Sequence, residues 1–258
     1  MLSTGHIKYI QSLRQKKYRD RHQAFVAEGD KIVRELLEKP DYLEMVCGLK
    51  GWLQPFRDHI PETVPCYEVT SRELERASHM RTPHQALAVV KKPVYQWQED
   101  IFFHDLVLML DNLQDPGNLG TILRTADWFG IKHVFCSPGT ADMYNPKVIQ
   151  ASMGSFVRIK AYYEELPGII RTIHNRIPVY GAFLDGDNLF KTKSILPAVL
   201  VIGNESRGIS PEVATLVTDR LQIPPYGAHR PEEKAESLNA AMAGGIMMAW
   251  FRHHISTP

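Results

Sequence analysis

From residue 105 onward, short apolar runs alternate with stretches of helical period. That alternation restricts this part of the chain to a parallel sheet carrying helices on its faces. The expected strands are 106–111, 133–136, 179–183, 198–203 and 220–223. The run Ala198-Val-Leu-Val-Ile has no polar alternation, as suits a strand buried on both faces. Ahead of this region the pattern differs. Residues 6 to about 39 read as helices, with Ile7, Ile10 and Leu13 on one stripe and Ile32, Val33, Leu36 and Leu37 on another beyond Glu28 and Gly29. Apolar runs at 43–49, 65–69 and 86–90 read as strands, and 71–77 as a helix with Ser71 as its cap and Glu73 close behind. At 258 residues a chain is at the size where one core gives way to two. The polar, proline-bearing stretch KKPVYQWQED (91–100) then makes 1–92 a small α/β domain, 93–104 a linker and 105–258 a second domain.

Composition narrows the class. With 44% hydrophobic and 23% charged residues the chain is expected to fold throughout. No segment is apolar enough to span a membrane, and the start has no secretory pattern, so a cytoplasmic protein is expected. Cys47, Cys66 and Cys136 are widely spaced with no C-x-x-C pair, which points to reduced thiols and no bound metal. The formal net charge of +1 says nothing about nucleic acid. Its distribution says more. Between His6 and His22 stand Lys8, Arg14, Lys16, Lys17, Arg19 and Arg21 against the single acid Asp20. Arg14, Lys16, Lys17, Arg19 and Arg21 are therefore candidate contacts to nucleic-acid phosphates; charge alone fits a solvated helix face equally well.

Three segments carry residues that a core does not require. In DNLQDPGNLGTILRTADWFG (111–130), Pro116 and Gly117 read as a turn, Asn118 as a helix N-cap and Gly130 as the C-terminal stop. Leu119, Ile122, Leu123, Ala126 and Phe129 form the buried stripe, and Arg124 points away from it. A plain cap and a surface arginine account for Asn118 and Arg124 taken singly. In AVLVIGNESRGIS (198–210) the apolar strand stops at Gly203-Asn204-Glu205, where open α/β sheets bind ligands and where glycine lets backbone approach them. An ordinary strand-to-helix loop, tightened by Gly208 and capped by Ser210, fits as well. In the third, 221–251, a short strand ends at Pro224-Pro225, and Ser237-Leu238-Asn239 opens a helix apolar almost all round. Gly244 and Gly245 in that helix suggest close packing, within the chain or against a second subunit. The chain has no G-x-G-x-x-G after a strand and no G-x-x-x-x-G-K-[ST], which disfavours a nucleotide-dependent oxidoreductase and a P-loop enzyme.

Taken jointly, Asn118, Gly120 and Arg124; Gly203, Asn204, Glu205 and Gly208; and Ile223, Pro224, Ser237, Leu238 and Asn239 resemble the motifs of the SpoU/TrmH family of RNA ribose 2′-O-methyltransferases in the SPOUT superfamily. RQKKYRDRHQAFVAEGDKIVREL and RTPHQALAVV resemble that family's small substrate-binding domain, so about 250 residues are covered. Two departures stand out. The loop before Ser237 carries GAHRPEEKAE where the family has a short turn, and Pro225 replaces the common methionine; after Asn239 the chain reads Ala240-Ala241-Met242 where valine and serine are usual.

The resemblance implies an α/β fold: a parallel-sheet SPOUT domain with a deep trefoil knot, preceded by a small α/β RNA-binding domain. It implies S-adenosylmethionine as cofactor, held around Gly203, Ile223, Ser237, Leu238 and Asn239, a homodimer whose subunits complete each other's sites, and no membrane association. Arg124, Asn118 and Glu205 become the candidate catalytic residues. A guanidinium stays protonated at neutral pH, so Arg124 suits stabilising the developing alkoxide and the adjacent phosphate better than acting as a base, with Asn118 orienting it and Glu205 shaping the same corner. The N-terminal region points to ribosomal rather than transfer RNA. The main alternative is a non-catalytic RNA-binding protein that keeps the fold.

Overall fold

The computed structural model describes residues 2–225 and 236–253, and the chain divides into two compact units. The loop residues 227–235, where the sequence departs from the family it resembles, lie outside the described residues.

The first unit combines the chain up to Val94 with a second stretch, Asp142–Val157. Its elements are α1 (Thr4–Ser12), α2 (Lys16–His22), β1 (Ala24–Glu28), α3 (Asp30–Leu37), β2 (Leu43–Gly48), α4 (Lys50–Leu53), β3 (Cys66–Glu68), α5 (Ser71–Ala77) and β4 (Ala86–Lys91). The later stretch contributes a helix, Pro146–Ser152. The four strands form a sheet in the order β1-β4-β2-β3, antiparallel except for the β2–β3 pair.

Two expectations need correction here. Residues 6 to 39 are not all helical, because β1 interrupts them. Gln23 ends α2 in the left-handed region (φ 49°), and Gly29 opens α3 at φ 119°, a conformation that favours glycine. Every residue of β1 is buried, so it shows no alternation to distinguish it from a helical segment. The burial arises because Val26 joins the core of Ile7, Ile10, Leu13 and Leu87, while Phe25 stacks on Tyr144 at 4.5 Å and meets Phe156 edge-on at 5.6 Å. The cap of α5 is Thr70 rather than Ser71: its hydroxyl accepts from the Glu73 amide, and the Glu73 carboxylate accepts from the Thr70 amide.

The second unit comprises Tyr95–Ala141 and the chain from Arg158. Here β5 (Leu106–Leu110), α6 (Pro116–Trp128) and β6 (His133–Cys136) come before α7 (Pro146–Ser152), the helix that lies in the first unit. Then follow β7 (Lys160–Tyr163), α8 (Leu166–Ile173), β8 (Val179–Asn188), β9 (Ala198–Ile202), α9 (Pro211–Ala214), β10 (Asp219–Gln222) and α10 (Ala240–His253). The strands form one all-parallel sheet in the order β10-β8-β9-β5-β6-β7. The five expected strands are all present. β7 was not foreseen, because as an edge strand with one buried residue it lacks an apolar run. The central strands β5 and β9 are buried throughout, as parallel strands covered on both faces must be. At the far end of α10, Arg252 clamps Asp105 with two bonds of 2.6 and 2.9 Å and donates to the Phe129 carbonyl, which fixes the helix to the start of β5 and the end of α6.

α10 packs beside α6. A Cβ at Gly244 would stand 3.7 Å from Ile202 and 3.8 Å from Ile122, and one at Gly245 would stand 3.7 Å from Thr125, all ordinary contact distances. Packing within the chain therefore does not require glycine at either position. Gly244→Ala should raise stability by about 0.5–1 kcal/mol through helix propensity, read as a higher melting temperature; a fall would reveal a steric demand at Gly244 that this chain alone does not impose.

Candidate active site

The parallel strands deliver three loops to one edge of the sheet, and hydrogen bonds join them. At the end of β5, Asp111 is buried, and its Oδ2 accepts from the Ser210 amide at 2.7 Å while Oδ1 accepts from Asn112 Nδ2 at 2.8 Å. Asn112 occupies the left-handed region (φ 54°), its carbonyl accepting from Asn204 Nδ2 at 2.7 Å. The β5 and β9 loops are thus fastened together before any residue of the candidate triad is considered.

The loop after β9 closes on itself. Asn204 and Gly208 exchange backbone hydrogen bonds of 2.9 and 3.0 Å, and Asn204 Oδ1 accepts from the amides of Ser206 and Arg207. Gly203 sits beneath this turn. A Cβ there would fall 2.3 Å from the carbonyl carbon of Gly208 and from the nitrogen of Ile209, so no other residue fits without opening the loop.

Asn118, Glu205 and Asn239 meet across the three loops. Glu205 Oε1 accepts from Asn118 Nδ2 at 3.0 Å and from the Asp115 amide at 3.2 Å. A carboxylate only accepts, so the Asn118 amide must turn its nitrogen toward Glu205 and its oxygen the other way. That oxygen accepts from Asn239 Nδ2 at 2.8 Å. Asn239 Oδ1 in turn accepts from the amides of Ala241 and Met242, capping α10. One residue from each sequence motif is therefore locked to the next.

Several expectations change at this level. The N-cap of α6 is Asp115, whose Oδ1 accepts from the Asn118 amide at 2.7 Å; Asn118 lies inside the first turn, and Pro116, expected in a turn, starts the helix. This frees the Asn118 side chain for Glu205 and Asn239. Leu119, Ile122, Leu123 and Ala126 are buried, Phe129 is only half-buried, and Arg124 is exposed. Within its own chain Asn118 does not reach Arg124. Six residues along a helix place the two about 9 Å apart along the axis and roughly 120° apart around it, and the Asn118 amide is spent elsewhere. Asn239 has its side chain committed to the cap and to Asn118 and its carbonyl to the Ala243 amide at 2.9 Å, leaving its own amide for a ligand. Ile223 is half-buried, and Ser237 and Leu238 are exposed.

Asp111, Asn112, Asp115 and Asn204 were not singled out as site residues. Asp115 had a usable signal, an Asp directly before a helix-starting proline; the others act through a loop conformation that sequence period does not report. In the first unit, Arg14, Lys16, Lys17 and Arg21 are exposed, but Arg19 is 2% exposed and ion-paired to Asp142 at 2.6 Å, so it is withdrawn from the set of phosphate contacts. The acid of that cluster, Asp20, is paired with Lys92 at 2.7 Å; the bond from Lys92 holds its carboxyl below the ordinary value. Among the described residues no group of three or more His, Cys, Asp or Glu side chains could hold a metal ion, and no helix is long and apolar enough to cross a membrane.

Residues 105–249 match the SpoU rRNA methylase family model, and residues 5–88 match that of an MRM3-like substrate binding domain. The chain is 31% identical to the 23S rRNA (guanosine(2553)-2′-O)-methyltransferase RlmP of Bacillus subtilis (strain 168), with 95% of each chain covered. Among solved structures, a TrmH-family protein from Porphyromonas gingivalis is 42% identical with a TM-score of 0.84, over 98% of this chain and 99% of that one. An AdoMet-bound rRNA methyltransferase from Sinorhizobium meliloti is 26% identical with a TM-score of 0.85, over 100% and 97%.

Proposed function

The chain belongs to the SpoU rRNA methylase family, and on that footing we propose that it transfers a methyl group from S-adenosylmethionine to a ribose 2′-oxygen of ribosomal RNA. The observation that carries this reading is the bonded chain Glu205–Asn118–Asn239, which draws the three motif loops to one edge of a parallel sheet. A ribosomal substrate such as the one named for the Bacillus subtilis relative would place the protein in the cytoplasm.

The residues present fit an adenosyl cofactor. Gly203 keeps backbone close to the strand ends, Ile223 and Leu238 offer apolar surface, and the backbone of Ser237 and Asn239 adds polar groups at the same edge. The cofactor, when bound, supplies a methyl group already activated by its sulfonium. The protein is left to align the two reactants and to ease the loss of the hydroxyl proton. Glu205 and Asn118 hold the β9 loop against α6, which fixes the corner where the ribose would sit. Arg124 would stabilise the developing alkoxide and contact the neighbouring phosphate, with the proton passing to phosphate or water.

Arg124 stands apart from the Asn118 corner within its own chain, and this supports a dimer in which it serves the partner's site. Its stripe on α6 continues to Trp128, which is 85% exposed, and at the start of the adjoining α10 Leu238 is 48% and Met242 60% exposed. Large apolar side chains left open on two adjacent helices suit a surface covered by a second copy. A trefoil knot in the second unit belongs to the same reading, as membership of the SpoU family implies.

The product tests the reaction. Alkaline cleavage of RNA uses the 2′-hydroxyl as its nucleophile, so incubation with labelled S-adenosylmethionine and total RNA should leave one labelled, alkali-resistant linkage. Label on a base, with no resistant linkage, overturns the ribose assignment. No label at all with a folded, donor-binding protein favours the non-catalytic alternative.

A further inference from the structure

The first unit holds a cavity of about 510 Å³, in the size range of small-ligand sites. It lies where the 142–157 stretch folds onto the sheet: α7 runs against β1, and Gln150 Nε2 donates to the Glu28 carbonyl at 2.8 Å. Val26, Met80 and Pro146 give it apolar surface.

Its buried polar groups are acceptors. Glu28 Oε1 accepts from the His79 amide at 2.7 Å and Oε2 from the Ser78 hydroxyl, which uses two of about four lone-pair directions of the carboxylate. His79 Nε2 lies 2.8 Å from the Ile10 carbonyl and must donate to it, since a carbonyl cannot. Burial holds the His79 ring below its ordinary pKa, so the imidazole is neutral and Nδ1 is a bare acceptor. Nδ1 is buried with no hydrogen-bond partner among the described residues. Two cations that also line the cavity, Arg81 and Lys147, are exposed.

One buried acceptor, His79 Nδ1, lacks a donor among the described residues, and a ligand N–H group brought to it would relieve that desolvation penalty, while Glu28 keeps spare lone pairs beside it. Apolar surface suits a flat ring, and paired cations suit a phosphate. We propose that this cavity takes one unpaired nucleotide of the RNA substrate, its base turned inward with N–H donors toward His79 and Glu28 and its phosphate against Arg81 and Lys147. Single-stranded bases splayed into pockets are the usual means of reading RNA. The inference rests on the reading that the first unit engages RNA, and it identifies where.

The test uses the full-length protein. Ultraviolet cross-linking to total RNA, followed by mass spectrometry, should place a nucleotide adduct on a peptide containing residues 79–81 or 146–151. Arg81→Ala with Lys147→Ala should weaken RNA binding about ten-fold and flatten the salt dependence by about 0.7 in log–log slope, the share of one single-strand phosphate contact. Ala151→Leu, which fills the cavity without altering charge, should weaken binding several-fold at unchanged slope. The melting temperature of each variant reports its folding. Adducts confined to other peptides, together with wild-type RNA affinity in both the charge and the filling variants, overturn the proposal. Saturable binding of AMP, GMP or CMP that RNA does not displace also overturns it, assigning the cavity to a free nucleotide. If the wild-type protein cross-links at these peptides but transfers no methyl group, the pocket stands and only the catalytic reading fails.

Discussion

Arg124→Ala is expected to lower single-turnover methyl transfer by about 10² or more, the scale of losing one preorganised charge-stabilising donor, while melting temperature and S-adenosylmethionine affinity stay at wild-type. The side chain is exposed on α6, opposite the stripe of Leu119, Ile122, Leu123 and Ala126, so the core does not need it. Arg124→Lys should restore little, because a lysine keeps the charge but loses the planar fork that can address phosphate and alkoxide together. The position of the residue adds a second test. If Arg124 serves the partner's site, neither Arg124→Ala nor Glu205→Ala is active alone, but mixed dimers contain one site with both residues intact. A statistical mixture of the two chains should then recover about a quarter of wild-type turnover, because half the dimers are mixed and each has one good site of two. No recovery places Arg124 in its own subunit's site. Near wild-type turnover of the alanine variant removes it from the mechanism, and loss of melting temperature returns it to a structural role.

What could be read from residues alone divides along physical lines. The strands of the second unit were legible because a parallel strand buried on both faces writes an unbroken apolar run, as β5 and β9 do. β7 was not, since an edge strand with one buried side chain leaves no such run. β1 misled for the opposite reason: it is wholly buried, but part of that cover comes from Tyr144 and Phe156, which pack on Phe25 from more than a hundred residues away. At the site, the three motif segments were identified, whereas the way they connect was not. Asn118 and Asn239 each have a local use as a helix cap, and only the fold decides that Asp115 caps α6 while Asn118 is released to bridge Glu205 and Asn239. Local pattern reports which side chains are free of the core; it does not report which distant partner takes them.

Arg19 carries that distinction furthest, because its neighbours on α2 made it look like a phosphate contact. Its Nη1 donates to the carbonyls of Leu13 and Arg14 at 3.0 and 2.7 Å, and its Nε and Nη2 donate to Asp142 Oδ2 at 3.0 and 2.6 Å. The guanidinium thereby ties the α1–α2 turn to the 142–157 stretch from inside the first unit. Removing one partner of a buried pair leaves the other charge uncompensated, at a cost of about 3–5 kcal/mol. Arg19→Met should therefore lower the melting temperature by roughly 10 °C, and Asp142→Asn should do nearly as much. Combining Arg19→Met with Asp142→Leu should regain much of the loss, since apolar side chains can replace a buried ion pair without leaving a bare charge. RNA binding separates this role from phosphate contact. Below its melting temperature the Arg19→Met protein should keep the wild-type salt slope, whereas Lys16→Ala, Lys17→Ala and Arg21→Ala should each flatten it. A melting temperature within 1–2 °C of wild-type (roughly the scatter of surface substitutions) together with a flattened slope would put Arg19 back among the phosphate contacts and break the tie inferred between the α1–α2 turn and residue 142.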